Sequence, residues 1–537
     1  MDRPYCIKLV LFDFDGTLTL PGAIDFALIR QRIGCPDDMA VLEFIQTLSD
    51  ESQRQKAIGE VCDHEMAAAR KARPNLGAER LLVELKALGV KVGLISRNIR
   101  IAIERALANF EHTLIEDFDL VISRDDLIAP KPEPDGITYV SEYFAIPPEE
   151  ILVVGDFVFD IEAGRRAGAL TAFITNGNKL DIPEKPTFVI HQLTELLPLV
   201  QMGIPLQGGK LPQHMLDIFL NEFEWDDPSV LNWPGVGEDT AAVDVKKEDV
   251  LVITSDPITF AAASIGEYAV IVNANDIATS GGTPRWLLTS LLFPVNSTAS
   301  EIRCVMTELA SVCNRYNITL CGGHTEITDA VIRPVVTGMM AGCVQRDHLL
   351  DKKQMRSGDH ILLTKGVAIE GTAIIARDFE KQLIEYGVSE ETIRKAKGFI
   401  SRISVIEEAQ MAAAMDGVKS LHDITEGGLA TALEEFSFAG GYGIEVQVPK
   451  IPILQETEAV CLPFNLNPLG LIGSGSLLIC CHPDVSKPLR RELLSAGIDC
   501  THIGTVTGKG PGIVAMDEEK IVPWPRFAVD EITRLFS

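Results

Sequence analysis

The chain has 537 residues, with 48 Lys and Arg against 76 Asp and Glu and a formal net charge of −28; that charge repels phosphate backbones and sets aside general nucleic-acid binding. With 46% hydrophobic, 23% charged and 6% aromatic residues, it carries enough apolar material for packed cores, so intrinsic disorder is excluded too. The length accommodates about three or four folding units.

The opening, MDRPYCIKLVLFDFDG, lacks the pattern of a signal peptide. No run of about 18 apolar residues is present, and the 11 cysteines are scattered without a CxxC pair. A cytoplasmic chain with reduced, buried thiols and no membrane association is therefore expected. Short apolar runs at residues 7–12, 90–95, 120–122, 151–154 and 170–174 alternate with helical patterns such as 79–88, 101–109 and 161–167. Strands buried on both faces and separated by helices predict a doubly wound parallel sheet. A helix-rich insert occupies about 20–75, one more strand and helix fill 187–200, and the Gly/Pro-rich stretch 202–212 reads as a linker. Beyond it, strands are predicted at 250–254, 331–337 and 361–363 and helices at 215–223 and 300–315. A composition shift at 345–359 marks a second boundary. No short-period repeat or low-complexity tract is evident.

The first chemical constellation is Asp13-Phe14-Asp15-Gly16-Thr17, directly after the first strand. Two carboxylates two residues apart at the carboxyl end of a parallel strand face the usual ligand crevice of an open sheet. Ser96 follows the second strand, Lys131 lies in a Pro-Lys-Pro loop, and Asp156 and Asp160 follow the 151–154 strand. Each alone would pass for a surface turn, Asp-Gly being a common turn dipeptide; together, at the strand ends of one sheet, they form a candidate site. The order DFDGT, SRN, PKPEP, GDFVFD resembles the haloacid dehalogenase (HAD)-like hydrolase superfamily over about residues 6–202. The resemblance implies an aspartyl-phosphate mechanism on a small phosphorylated metabolite. In it Asp13 is the nucleophile, Asp15 the general acid, and Ser96 and Lys131 further catalytic groups. Asn98, Gly16 and Thr17 contact the phosphoryl group, and Asp13, Asp15, Asp156 and Asp160 hold or support Mg²⁺. The presence of Asp15 favours phosphate-ester over carbon–halogen hydrolysis, because only the former has a leaving alkoxide to protonate. The insert takes the place of the family's cap, where Arg30, Arg32, Lys56, Arg70 and Lys71 could meet an anionic substrate.

The second constellation runs Gly208-Gly209-Lys210, Gly237-Glu238-Asp239-Thr240, Thr254-Ser255-Asp256-Pro257, Asn275-Asp276, and Gly322-Gly323-His324-Thr325-Glu326. Acids beside glycines at strand or helix ends suit metal-bridged phosphates. In series, with His422-Asp423-Ile424-Thr425-Glu426-Gly427-Gly428 and Asn467-Pro468-Leu469, they resemble a superfamily that includes aminoimidazole ribonucleotide (AIR) synthase. Thiamine-monophosphate kinase, selenophosphate synthetase and the hydrogenase-maturation carbamoyl dehydratase are its other named members. The match covers about 208–510. It implies two α/β domains, a homodimer through the first of them, and ATP near that interface. Asp239, Asp256 and Asp276 would be Mg–ATP ligands beside Asn275, with Gly322, Gly323 and Thr325 as phosphate contacts. The chain ends in EITRLFS without a terminal cysteine, so the dehydratase's cysteine chemistry is not expected, and His324 stands where several relatives have an acid. The expected architecture is thus α/β throughout. A HAD-like Rossmannoid parallel sheet with a helical cap (1–203) precedes a two-domain AIR synthase-like module (204–345 and 346–537). The expected function is a bifunctional enzyme, Mg²⁺-dependent phosphatase and Mg–ATP-dependent enzyme in one chain. The alternatives are an active phosphatase with a non-catalytic ATP-binding module, or a maturation or scaffold protein.

Overall fold

The structure, a computed structural model, describes residues 3–37, 39–177, 185–223, 226–233, 242–246, 249–259 and 264–536. It divides into two compact units, Met1–Gln207 with Val295–Cys304, and Gly208–Pro294 with Val305–Ser537. Among the described residues no helix is long and apolar enough to cross a membrane.

The first unit is built on a six-stranded, wholly parallel sheet. Its strands are β1 (Leu9–Phe12), β2 (Lys91–Ile95), β3 (Leu120–Ile122), β4 (Ile151–Gly155), β5 (Leu170–Ile174) and β6 (Phe188–Ile190), in the order β3-β2-β1-β4-β5-β6. β1 is two residues shorter at its start than the apolar run suggests. Ile7 and Lys8 give their amides to Gly203 O (2.8 Å) and Glu150 O (3.0 Å) rather than to a neighbouring strand. Alternation along β1 explains why its sequence is uninterrupted by polar residues: Val10 and Phe12 pack into one core and Leu9 and Leu11 into the other. Three helices, Phe26–Ile33, Val41–Thr47 and Glu51–Ala69, form the insert. They share a small core of Ile29, Val41, Ile45, Ala57 and Val61. Asp50 opens the longest of them by accepting from the Ser52 and Gln53 amides.

The second unit contains two larger sheets and a small ribbon. The strands are β7 (Gly209–Lys210), β8 (Val230–Asn232), β9 (Ala242–Val243), β10 (Asp249–Ile258), β11 (Thr283–Pro294), β12 (Thr319–Thr328) and β13 (Val335–Gln345), followed by β14 (His360–Thr364), β15 (Val418–Asp423), β16 (Tyr442–Gln447), β17 (Leu477–Cys481), β18 (Cys500–Lys509), β19 (Gly512–Asp517) and β20 (Lys520–Val522). The sheet orders are β10-β13-β11-β12-β7, β15-β17-β14-β18-β16-β19-β20, and β8-β9. Both large sheets are mixed, mostly antiparallel, with parallel pairs at β11/β12 and β16/β19. The strand expected at 331–337 begins instead at Val335, directly after Pro334, which has no N–H to give the ladder.

Candidate functional site

Because the strands of the first unit run parallel, their carboxyl ends share one edge, and several of them deliver a polar residue there. Asp13 N–H still donates to Val154 O (2.8 Å), and the chain then coils through the tight turn Phe14–Leu18. Gly16 is required at this bend. Its φ is 80°, and a Cβ there would stand 2.1 Å from Asp156 Oδ2. Asn176 Nδ2 donates to Gly16 O (2.7 Å) and Asn75 Nδ2 to Thr17 O (2.9 Å), pinning the turn. The Gly16 amide donates to Thr19 Oγ1 (3.3 Å), while Thr17 Oγ1 is buried without a partner among the described residues.

Lys131, 2% exposed, donates to Asp13 Oδ1 (2.5 Å), Asp160 Oδ1 (2.6 Å) and Ile95 O (2.9 Å). Its three protons thus have three acceptors. Asp160 gives its other oxygen to the Phe157 amide (3.1 Å), so it fixes Lys131 more than it faces the crevice. Oxygens of Asp13, Asp156 and Asp160 lie within 4.8 Å of one another. Asp15 accepts from Asn98 Nδ2, and the Asn98 amide donates to Ser96 Oγ (3.2 Å). Four carboxylates therefore crowd around one lysine. Burial pushes Asp13 up to about 6 even though the Lys131 charge opposes it. Burial and then the Asp13 charge push Asp15 to about 7 and Asp156 to about 8. Burial pulls Lys131 down, but the charges of Asp13 and Asp160 outweigh it and hold it above the ordinary lysine range.

Two ion pairs join the insert to the sheet beside Ser96 and Asn98. Arg97 reaches Glu43 with bonds of 2.6 and 2.7 Å. Arg124 grips the buried Glu65, which also accepts from the Ile99 amide (3.3 Å). Sequence reasoning missed Glu65 and Arg124. They are 59 residues apart, and separately they read as one helix charge and one loop charge. Of the five basic residues considered in the insert, Arg30 alone lines the cavity at the acids. Arg32 pairs with Glu60 (3.1 Å), and Lys56, Arg70 and Lys71 are exposed.

In the second unit, Asp256 lies inside β10 and Asp276 inside the helix Ile265–Thr279, not at element ends as the motifs suggest. Asp276 Oδ2 accepts from Thr254 Oγ1 (2.6 Å), and the Asp256 amide donates to Asn273 Oδ1 (2.9 Å). Burial and then the charge of Asp423 push Asp276 up to about 8. Asp423 is itself raised by burial, and its Oδ2 is buried without a partner among the described residues. It is a third acid of this cluster, brought in by the end of β15; the sequence reading had it only as part of a Gly-rich motif. Asn275 is fully buried and turned to a different task. Its Nδ2 donates to Ile403 O (2.9 Å), and its Oδ1 accepts from the Val405 amide (2.8 Å). Lys365 grips the same segment through Arg402 O (3.1 Å) and Ser404 O (2.6 Å), with Glu408 at 2.7 Å.

Gly322, Gly323 and Thr325 lie within β12. The register runs Asp256, Gly338, Thr289, Gly323 across the sheet. These glycines therefore stand three strand spacings, roughly 14 Å, from Asp256. A Cβ on Gly323 would meet Thr289 O at 2.2 Å, so close strand pairing requires glycine there. His324 Nε2 and Glu326 Oε2 are 3.5 Å apart, both partly exposed. Asp239 lies outside the described residues.

A family model for haloacid dehalogenase-like hydrolases matches residues 21–174. Models for the N-terminal and C-terminal domains of AIR synthase related proteins match 237–344 and 356–517. An uncharacterized hydrolase of Saccharomyces cerevisiae is 30% identical over 200 residues, 36% of this chain and 91% of its own. The carbamoyl dehydratase HypE of Cupriavidus necator is 26% identical over 341 residues, 60% of this chain and 92% of its own. The crystal structure of E. coli HypE matches with a TM-score of 0.51 at 22% identity, covering 60% of this chain and all of that one, which is a likeness of fold. The first of these models lies along the sheet-and-insert unit and the other two largely along the mixed-sheet unit, so the chain belongs to the haloacid dehalogenase-like hydrolases through its first part and is fused to an AIR synthase-related part.

Proposed function

We propose that the first part is a Mg²⁺-dependent phosphomonoester hydrolase working through an aspartyl-phosphate. The observation that carries this reading is the crowding of four carboxylates, Asp160 buried and the others part-buried, around Lys131, with Asp15 poised near neutrality. The donors suit Mg²⁺: hard carboxylate oxygens of Asp13 and Asp156, close together and bearing more negative charge than Lys131 balances. When bound, that cation supplies charge neutralisation at the phosphoryl oxygens. Asp13 attacks phosphorus, and the bond from phosphorus to the ester oxygen breaks. Asp15 gives its proton to the departing alkoxide, which leaves as the alcohol. The resulting Asp15 carboxylate then takes a proton from a water that attacks the aspartyl-phosphate, releasing phosphate and restoring Asp13. Asn98 orients Asp15, Ser96 offers its hydroxyl to the phosphoryl group, and Lys131 offsets charge between nucleophile and phosphate.

The second part carries out a Mg–ATP-dependent step on a small-molecule oxygen, with Asp256, Asp276 and Asp423 holding the metal. The domains run 1–203, 204–345 and 346–537, and the chain works in the cytoplasm. Exposed Leu251 and Ile253 on edge strand β10, with Met339 on β13 beside it, support a homodimer through that sheet. A second reading, an ATP-binding dimerisation module without turnover, is favoured by the commitment of Asn275 to backbone and the distance of Gly322 and Gly323 from Asp256.

The test of the first part is release of phosphate from p-nitrophenyl phosphate in Mg²⁺. Asp13→Asn abolishes it; a variant keeping most of the activity removes Asp13 from the role. For the second part, phosphorus NMR of the Asp13→Asn chain with Mg–ATP and a small-molecule extract reveals a new phosphorylated species. Intact ATP across extracts favours the non-catalytic module.

A further inference from the structure

Two cavities adjoin in the first unit, one of them at the acids. One, of about 310 Å³, has a charged and polar side around Asp13, Asp15 and Asp156 and an apolar side that includes Phe26, Phe157 and Phe159. The other, of about 430 Å³, shares Leu42, Val61, Ser96 and Lys131 with the first. It continues along isoleucines, Ile45 and Ile58 from the insert and Ile95 and Ile128 from the sheet unit. Beyond the atoms that handle the phosphoryl group, the polar groups of the first cavity are mostly engaged with one another, while the second adds Gln46, Ser123 and Asp125 in its lining. Arg97 is held by Glu43 and stacks over Phe159 at 5.0 Å. Glu65 is held by Arg124, and Asn98 by Asp15. Arg30 donates to Met39 O (3.3 Å), leaving its Nε as the one buried donor of the lining without a partner among the described residues.

Yet Phe26 and Phe157 are 54% and 56% exposed, a large apolar surface beside a part-buried charged site. Sugar hydroxyls brought against the rings would lose water for few partners beside Arg30, and a second phosphate would meet that one cation in a lining that also carries Asp13, Asp15, Asp156 and Asp160. An apolar body would cover the rings and leave the Arg30 guanidinium, bonded through one Nη to Met39 O, for a polar atom at its edge.

We infer that the phosphomonoester hydrolysed here is that of an uncharged apolar alcohol, aromatic or branched, seated against Phe26 and Phe157; the inference rests on the phosphatase reading. It is not the ester of a polyol or a nucleoside. The test compares three primary alkyl esters of similar leaving-group chemistry, benzyl phosphate, 3-methylbutyl phosphate and ribose 5-phosphate, on the full chain in Mg²⁺. p-Nitrophenyl phosphate serves as the control for phosphatase activity itself.

The expected result is a kcat/KM for one or both apolar esters at least about 100-fold above that for ribose 5-phosphate, carried mainly by KM. The better of the two tells an aromatic from a branched leaving group. Phe26→Ala, on an exposed position of the first insert helix, raises KM for benzyl phosphate about tenfold with kcat little altered; an unchanged KM removes Phe26 from the contact. Turnover of p-nitrophenyl phosphate with ribose 5-phosphate matching or beating the apolar esters overturns the inference and leaves the phosphatase reading standing. No turnover of any ester, the control included, overturns both.

Discussion

Replacing Asp156 by Asn is expected to stabilise the metal-free protein while destroying its response to Mg²⁺. Burial and then the Asp13 and Asp160 charges raise Asp156 from 3.8 to about 8. At about 1.4 kcal/mol for each factor of ten in proton affinity, ionising it inside the fold costs on the order of 5 kcal/mol. For an acid raised in this way the stabilisation is complete below pH 3.8 and is lost as pH rises to about 8. Asparagine keeps the shape and carries no charge. At about 2–4 °C per kcal/mol for a unit of this size, the variant in EDTA should melt roughly 10 °C above the parent at pH 8, and the gap should close near pH 4. Scanning calorimetry at several pH values, with EDTA and then with Mg²⁺, reads both effects. Mg²⁺ should raise the parent's transition more at pH 8 than at pH 5 and leave the variant's unmoved. A variant that melts below the parent in EDTA at pH 8, or a gap independent of pH, would refute the electrostatic reasoning.

Asp15→Asn should lower kcat on an alkyl phosphate by about 10²–10⁴-fold, and less on p-nitrophenyl phosphate, whose leaving group needs no proton. Because Asp15 must carry that proton, and burial and the Asp13 charge hold it at about 7, the parent's rate on alkyl esters should fall as pH rises through that region. A pH–rate profile identical in the variant would deny Asp15 the role. Arg124→Ala leaves Glu65 buried without its counter-charge, at a cost of about 3–5 kcal/mol in denaturant titration. Adding Glu65→Gln should recover most of that loss, and a double variant no better than the single one would show the pair contributes nothing beyond packing. Asp256→Ala should weaken Mg–ATP binding in titration calorimetry without changing phosphatase rate; unaltered ATP affinity would take Asp256 out of the site.

The first unit was legible because its chemistry follows its strands. Asp13, Ser96 and Asp156 come just after apolar runs long enough to read as buried parallel strands, and such strands end on one edge. What joins the insert to that edge was not legible. Glu65 sits in a helix whose other charges are exposed or half-exposed, and only packing reveals that it meets Arg124. The second unit was harder for a different reason. Its long, mostly antiparallel strands place residues such as Asp256 and Gly323 in strand interiors, where glycine-and-acid runs mimic loops. Asn275 illustrates the limit: beside Asp276 in sequence it reads as a co-ligand, yet successive residues point about 100° apart around a helix, and its amide serves the 403–405 backbone instead.

That divergence turns two adjacent residues into a mechanical relay. Asp276 is bonded to Thr254 on β10, and Asn275 to the Val405 amide. Whatever orders the carboxylate stiffens the same turn of helix that holds the amide. The Val405 proton should therefore exchange with solvent only when this turn opens, and its rate in deuterated water should slow when the acid cluster is occupied. One backbone proton more than a hundred residues along the chain becomes a gauge of ligand occupancy that needs no catalysis to be read.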